Sequence, residues 1–349
     1  MRRPWYRHGL ALLSIAMLAL RAEATEPLGT YLVDTDAISV SGVSSGGYMA
    51  QQFHVAHAAS VMGAGIFAAG PYYCAGDRAF YSLWIALNTC MNFSDFIPFL
   101  GAPEVANSLA ATRAAAAAGA IDDPRGLHED RVYLFSGTLD DTVPQAVVDT
   151  LYAYYQAFIP TEHIVYRNDI PAGHAMVTED YGNANCAVSQ TPFLNDCDYD
   201  AAGQLLAHLY GPLQPPAVWR KESLLAFAQT EFVDDAKAHS LNAVGHVYVP
   251  AVCAKGVRCR LHVAFHGCQQ YQQAIGNAFY AWAGYNEWAE ANNIIVLYPQ
   301  TKPLTYGVMP WPNPQGCWDW WGYTGSDYAV QSGVQITAVK AMIDHLSGR

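Results

Sequence analysis

The sequence predicts an α/β domain with a mainly parallel sheet and helices on both faces. Three observations carry this expectation. β-like runs alternate with helical stretches, the order that the crossovers of a parallel sheet require. The run Asp36–Ser41 leads through Gly42-Val43-Ser44-Ser45-Gly46 straight into a helical stretch. Beyond the first 24 residues no apolar stretch is long and uncharged enough to span a membrane, so the apolar runs read as core.

The elements come in this order. Tyr48 to Ala58 reads as a helix with Met49, Phe53 and Ala56 on one face. The Ala-rich stretch 110–121 reads as a plain helix. Arg131 to Ser136 is a strand, and Thr142 to Phe158 a helix with Pro144 in its first turn. His163 to Arg167 and Leu261 to Phe265 are strands, Ala281 to Ala291 is a helix, and Ile294 to Tyr298 is a buried strand. Gly211-Pro212-Leu213-Gln214-Pro215-Pro216 is the best boundary candidate, but the chain beyond it does not read as an independent unit. Residues 25–349 are therefore expected to form one catalytic domain.

Residues 1–24 read as a signal peptide. Arg2, Arg3 and Arg7 form a basic start, Leu10 to Leu20 an apolar stretch, and Ala22-Glu23-Ala24 a cleavage site. The protein is thus expected to be exported, to the medium or a periplasm. Without that segment 14 basic residues face 29 acidic ones, a net charge of −15. Such a chain repels nucleic acid and anionic membranes. With 14% charged and 13% aromatic residues, a neutral or apolar partner fits better than a charged one. The reading expects a monomer. Asn92-Phe93-Ser94 is a formal glycosylation sequon.

Eight cysteines in an exported chain suggest disulfides, with 105 possible connectivities. Local closure suggests Cys74–Cys90, Cys186–Cys197 and Cys253–Cys259, leaving Cys268–Cys317. A zinc site is not expected. There is no C-x-x-C pair, and His262 and His266 lie on a strand rather than on a helix face.

The pattern G-x-S-x-G is a nucleophile elbow, a strained strand-to-helix turn that pushes a serine Oγ into the open. Gly42 and Gly46 let strand and helix approach closely around Ser44. Ser45 is the lesser choice, because Val43 and not glycine stands two residues before it. A serine hydroxyl needs an adjacent base, and the base an orienting carboxylate. The expected chain order is Ser, then Asp or Glu, then His. Asp140, just after a strand, and His174 in Ala172-Gly173-His174 supply that order. Asp141 is adjacent, and one of the two aspartates can instead cap the following helix.

An oxyanion needs donors. One is the backbone N–H after the nucleophile, that of Ser45. The other ordinarily comes from an HG-type loop after a strand that precedes the elbow. Residues 25–41 have no room for that strand. The candidate loop, Phe265-His266-Gly267-Cys268, lies far downstream. A circular permutation reconciles the two: the C-terminal third supplies strands that ordinarily come first.

Five motifs then carry a resemblance across nearly the whole chain. They are Gly42-Val43-Ser44-Ser45-Gly46-Gly47, Ala172-Gly173-His174, Phe265-His266-Gly267-Cys268, Asn286-Glu287-Trp288-Ala289 with Tyr298-Pro299-Gln300, and Gly316-Cys317-Trp318-Asp319-Trp320. The chain resembles the secreted poly(3-hydroxybutyrate) depolymerases, specifically the circularly permuted, single-domain α/β-hydrolase kind. The resemblance implies a cofactor-free serine esterase with triad Ser44, Asp140 and His174. It implies an oxyanion hole from the N–H groups of Ser45 and Cys268, and a water-insoluble polyester as substrate. Many members carry a linker and a separate polymer-binding domain, which this chain does not show before Arg349. Polymer contact is therefore expected from the catalytic surface, with Trp311, Trp318, Trp320, Trp321 and Tyr323 as candidates; the alternative for these rings is core packing. The rival activities are a feruloyl or acetyl-xylan type small-ester esterase, a peptidase on the same fold, and a non-catalytic polymer-binding protein.

Overall fold

The computed structural model describes residues 25–76, 80–92, 99–304 and 313–349. The expected signal segment 1–24, Trp311, and Phe93 and Ser94 of the sequon lie outside the described residues. Eight strands form one sheet: β1 Val33–Val43, β2 Gly63–Phe67, β3 Arg131–Phe135, β4 Ile164–Arg167, β7 Leu224–Ala228, β8 Val244–Tyr248, β9 Cys259–Phe265 and β10 Ile294–Tyr298. Two short strands, β5 Met176–Thr178 and β6 Leu194–Asp196, pair with each other apart from it. The order across the large sheet is β4-β3-β2-β1-β9-β10-β8-β7. The first six in that order run parallel, while β8 and β7 are added antiparallel at one edge.

The permutation is visible in this order. β1 carries the elbow at its end and opens the described chain, yet its neighbour on one side is β9. Val40 faces Val263 and Gly42 faces Phe265 across that pair. The HG loop therefore leaves the sheet beside the elbow although more than two hundred residues separate them in sequence.

Strand periodicity divides the core into two layers. Val132 and Leu134 of β3 and Ile295 and Leu297 of β10 point to one face. They meet Met49 and Phe53 of the Ser45–Ala56 helix, Leu151 of the Gln145–Tyr155 helix and Val339 of the Val334–Leu346 helix. Tyr133 and Phe135, with Ile294, Val296 and Tyr298, point to the other face, against Leu205 and Leu206 of the Ala201–Tyr210 helix and Ala289 of the Tyr285–Asn292 helix.

The same alternation places Ser39, Ser41 and His262 inside the second layer. Their polar groups form a closed chain. The Tyr285 hydroxyl lies 2.8 Å from Ser41 Oγ, and Ser41 Oγ 2.7 Å from His262 Nε2. His262 Nδ1 lies 2.7 Å from Ser39 Oγ, which is 2.7 Å from the Tyr210 hydroxyl. Tyr210 donates to the Leu261 carbonyl at 3.0 Å. Since that carbonyl can only accept, every hydroxyl hydrogen finds a partner if all donors point from Tyr285 toward Leu261. Burial pushes His262 down to about 3, in keeping with a neutral imidazole.

Several boundaries differ from expectation for local reasons. The helix expected from Thr142 begins at Gln145 with Pro144 as its cap, because the Thr142 and Val143 N–H groups donate to Asp140 instead. The helix expected over Ala281–Ala291 is two helices, Ala278–Trp282 and Tyr285–Asn292, broken where Gly284 adopts φ +88°. All four disulfides join the pairs that local closure suggested: Cys74–Cys90, Cys186–Cys197, Cys253–Cys259 and Cys268–Cys317. Such bridges belong to an oxidising compartment. Among the described residues no helix is long and apolar enough to cross a membrane.

Buried histidines make stability depend on pH. Burial lowers His246, which stacks on Tyr280 at 3.7 Å, to about 4. In the unfolded chain this imidazole titrates near 6.5. Below that pH the unfolded state takes up a proton that the folded state refuses. The His246 contribution is complete above about pH 6.5 and is lost progressively toward pH 4. The urea midpoint should therefore fall less between neutral pH and about pH 5 in His246→Gln than in the native protein; an unchanged pH slope contradicts this.

Candidate active site

The site is assembled at the carboxyl edge of five adjacent strands, β4, β3, β2, β1 and β9. Ser44 follows β1 in the elbow, at φ 57° and ψ −124°, a conformation that costs a non-glycine residue about 1–3 kcal/mol. Its N–H donates to the Phe67 carbonyl at the end of β2, 2.9 Å away. The glycines make the turn possible. A Cβ on Gly42 would collide with the Gly46 carbonyl, and one on Gly46 with the carbonyls of Phe265 and His266. The elbow helix thus starts in backbone contact with the end of β9.

Asp140 follows β3 and His174 follows β4. The two loops are stitched together, with Thr138 N–H donating to the Ile170 carbonyl at 2.8 Å and Leu139 N–H to that of Ala172 at 3.1 Å. His174 Nδ1 lies 2.8 Å from Asp140 Oδ2, with both side chains buried. Asp140 Oδ1 accepts from the Thr142 and Val143 N–H groups at 2.9 and 2.8 Å. A carboxylate held by two backbone donors is fixed in place, and its second oxygen requires a proton on Nδ1. The His174 Nε2 is left as the acceptor. Asp141 is exposed and takes no part in these bonds. The His174 backbone N–H donates to Ser189 Oγ at 2.7 Å, a contact with no signal in the sequence.

The HG loop closes the other side. A Cβ on Gly267 would stand 3.3 Å from Ser44 Cβ and 3.2 Å from the Val43 carbonyl. The Gly267 N–H is already used, donating to Gln270 Oε1 at 2.6 Å. Gln270 in turn donates to the Phe193 and Pro192 carbonyls at 2.8 and 3.2 Å. Among the described residues neither the Ser45 N–H nor the Cys268 N–H meets an acceptor. Cys268 is also tethered by its disulfide to Cys317.

The chain between Cys317 and Thr324 is organised by one carboxylate. Asp319 Oδ1 accepts from the N–H groups of Trp321, Gly322 and Tyr323, and Oδ2 from the N–H and hydroxyl of Thr324. Burial pushes this carboxyl up, and those hydrogen bonds oppose the rise. The fold of this loop buries Trp318, Trp320 and Trp321, the rings expected to contact polymer. Trp318 is fully buried, edge-on to Phe265 with ring centres 5.0 Å apart, and its backbone N–H donates to Ser45 Oγ at 3.3 Å. Trp320 stacks on Tyr48 at 4.2 Å and is 5% exposed, and Trp321 packs against Trp320 and is 8% exposed. Trp318 therefore presents no surface, and the other two present little. The sequence could not separate these roles, because an aromatic run reads alike whether it lies over or under a loop.

Comparison with known proteins identifies the family. A polyhydroxybutyrate depolymerase from Talaromyces funiculosus is 34% identical over 344 residues, which is 95% of this chain and 95% of that protein. The chain belongs to the polyhydroxybutyrate depolymerase family. A poly(3-hydroxybutyrate) depolymerase from Delftia acidovorans is 41% identical over 320 residues, and this chain spans only 60% of that protein's length. Among solved structures, a PHB depolymerase from Penicillium funiculosum aligns with TM-score 0.80 at 33% identity, over 92% of this chain and 99% of that one. A serine-to-alanine variant of a PHB depolymerase complexed with an R3HB trimer aligns with TM-score 0.81 at 32% identity, over the same shares. No protein-family model matches the chain.

Packing and charge in this family member generate two expectations. Trp318→Ala should cost about 3–5 kcal/mol of unfolding free energy, as measured by urea denaturation, because it empties a closed site; native stability would contradict the burial. Asp140→Asn should lower kcat on a soluble ester by about 10⁴-fold, while Asp141→Asn should change it by less than about threefold. Equal losses in the two variants would contradict the pairing with His174.

Proposed function

We propose that this chain is a secreted serine esterase that hydrolyses poly(3-hydroxybutyrate) to oligomers and 3-hydroxybutyrate, working as one catalytic domain over residues 25–349. The observation that carries the proposal is the buried Asp140–His174 pair, at the same sheet edge as a serine held at positive φ on an elbow. Membership of the depolymerase family supports the polyester as substrate, and the four disulfides support export.

His174 Nε2 takes the hydroxyl proton as Ser44 Oγ bonds to the ester carbonyl carbon. The carbonyl oxygen becomes an oxyanion that accepts from the Ser45 and Cys268 N–H groups. Asp140 keeps the proton on Nδ1 and stabilises the imidazolium. The tetrahedral intermediate then collapses. The carbon–oxygen bond to the leaving alcohol breaks, and that alcohol departs with the proton from Nε2. Water repeats the sequence on the hydroxyacyl-serine, releasing the acid and restoring Ser44. The polymer is uncharged, which suits a chain in which only 14% of residues are charged.

Turbidity of a poly(3-hydroxybutyrate) suspension provides the test. The mature protein should clear it, while Ser44→Ala should be slower by about 10⁴-fold or more and remain folded. Clearing by Ser44→Ala at the native rate would contradict the nucleophile. Cleavage of a soluble butyrate ester without clearing would replace the polyester reading with that of a small-ester esterase.

A further inference from the structure

We propose that His266 is a positioning residue: through the Gly267 carbonyl it turns the Gly267–Cys268 peptide so that the Cys268 N–H faces the oxyanion. The inference rests on the reading of Cys268 as an oxyanion donor, and it assigns to this imidazole a task that nothing in the triad supplies.

The tautomer can be derived from the partners. His266 Nδ1 lies 2.7 Å from the Gly267 carbonyl oxygen, which can only accept, so Nδ1 carries the hydrogen. Nε2 lies 3.1 Å from the Thr301 N–H, which can only donate, so Nε2 is the acceptor. The Thr301 hydroxyl, 3.3 Å from Nε2, gives its own hydrogen to the Gly316 carbonyl at 2.5 Å. Both ring nitrogens are thus committed, and the ring is neutral. Burial lowers the imidazole to about 4, in the same direction.

The consequence lies in the peptide plane. In a trans peptide the carbonyl and the following N–H point in opposite directions; the one cis bond among the described residues is Thr191–Pro192. Holding the Gly267 oxygen on the His266 side therefore aims the Cys268 N–H away from it. Gly267 itself permits free rotation of that plane, having no Cβ, so the plane needs an external hold. Three bonds provide it: His266 on the carbonyl, Gln270 on the Gly267 N–H, and the Cys268–Cys317 bridge beyond. His266 is itself wedged, with Trp318 5.8 Å and Phe279 6.2 Å away between ring centres. Thr301 follows β10, so the imidazole links the oxyanion loop to the next strand of the sheet.

Two substitutions separate this task from simple packing. His266→Asn keeps an amide donor near the Nδ1 position and gives up the bond to Thr301. His266→Gln places its amide near the Nε2 position and gives up the donor to Gly267. On a soluble butyrate ester, the Asn variant should keep kcat within about threefold of native. The Gln variant should lose about 10²–10³-fold in kcat, the size of one missing oxyanion donor, with KM little changed. Equal loss in both variants, or a loss that tracks the melting temperature, overturns the proposal. A second measurement needs no variant: long-range ¹⁵N–¹H spectra of the native protein should show His266 with its hydrogen on Nδ1, and a hydrogen on Nε2 overturns the proposal. Absence of native ester turnover in the same assay would strike the esterase reading itself, a result distinct from either of these.

Discussion

The close approach of two backbones, at Gly46 and at the Phe265–His266 end of β9, is the constraint on which the rest depends. A single Cβ at Gly46 would overlap both carbonyls. The contact fixes where the elbow helix starts, keeps Ser44 in its strained conformation, and sets the HG loop against Ser44. Strain of about 1–3 kcal/mol at one residue persists only where its surroundings over-determine it. Here the Phe67 carbonyl, the paired strand β9 and the start of the helix all hold the turn.

The polar groups beneath this contact are satisfied in a directional way. Ser39, Ser41 and His262 lie between β1 and β9, and their hydrogen bonds run from Tyr285 to Tyr210 through the interior. A fully paired buried network adds rigidity where a half-paired one would cost stability. The network crosslinks the two strands β1 and β9, whose ends lead into Ser45 and Cys268. Asp319 performs a similar task for the loop bridged to Cys268, gathering four backbone N–H groups on one carboxylate. The machinery is therefore held by polar contacts within the protein as much as by apolar packing.

Much of this was legible in the sequence, for identifiable reasons. The G-x-S-x-G turn demands glycines at Gly42 and Gly46 on steric grounds, so its meaning survives without coordinates. Ser44, Asp140 and His174 each follow a strand of one parallel sheet, so their loops meet at one edge, because parallel strands end on the same side. The absence of a strand before the elbow was enough to suggest permutation. Local pairings such as Cys253–Cys259 followed from short separations. What stayed hidden depended on distant partners. The depth of Trp318 is set by Phe265, the N–H partners of Asp140 displaced a helix start, and the role of Ser189 depends on a loop fold with no local signature. The antiparallel edge strands β7 and β8 also escaped notice, since short mixed runs near Leu224 and Val244 carry little periodicity.

Catalysis as proposed requires a covalent hydroxyacyl intermediate on Ser44 beside a fixed oxyanion loop. The most direct measurement is rapid quenching of the mature protein with an R3HB trimer, followed by peptide mass spectrometry. One hydroxybutyrate-derived acyl group should appear on the peptide containing Ser44, formed and lost within turnover. An acyl group on another residue, or turnover with no acylated species in a quench fast enough to resolve it, would contradict Ser44 as the nucleophile.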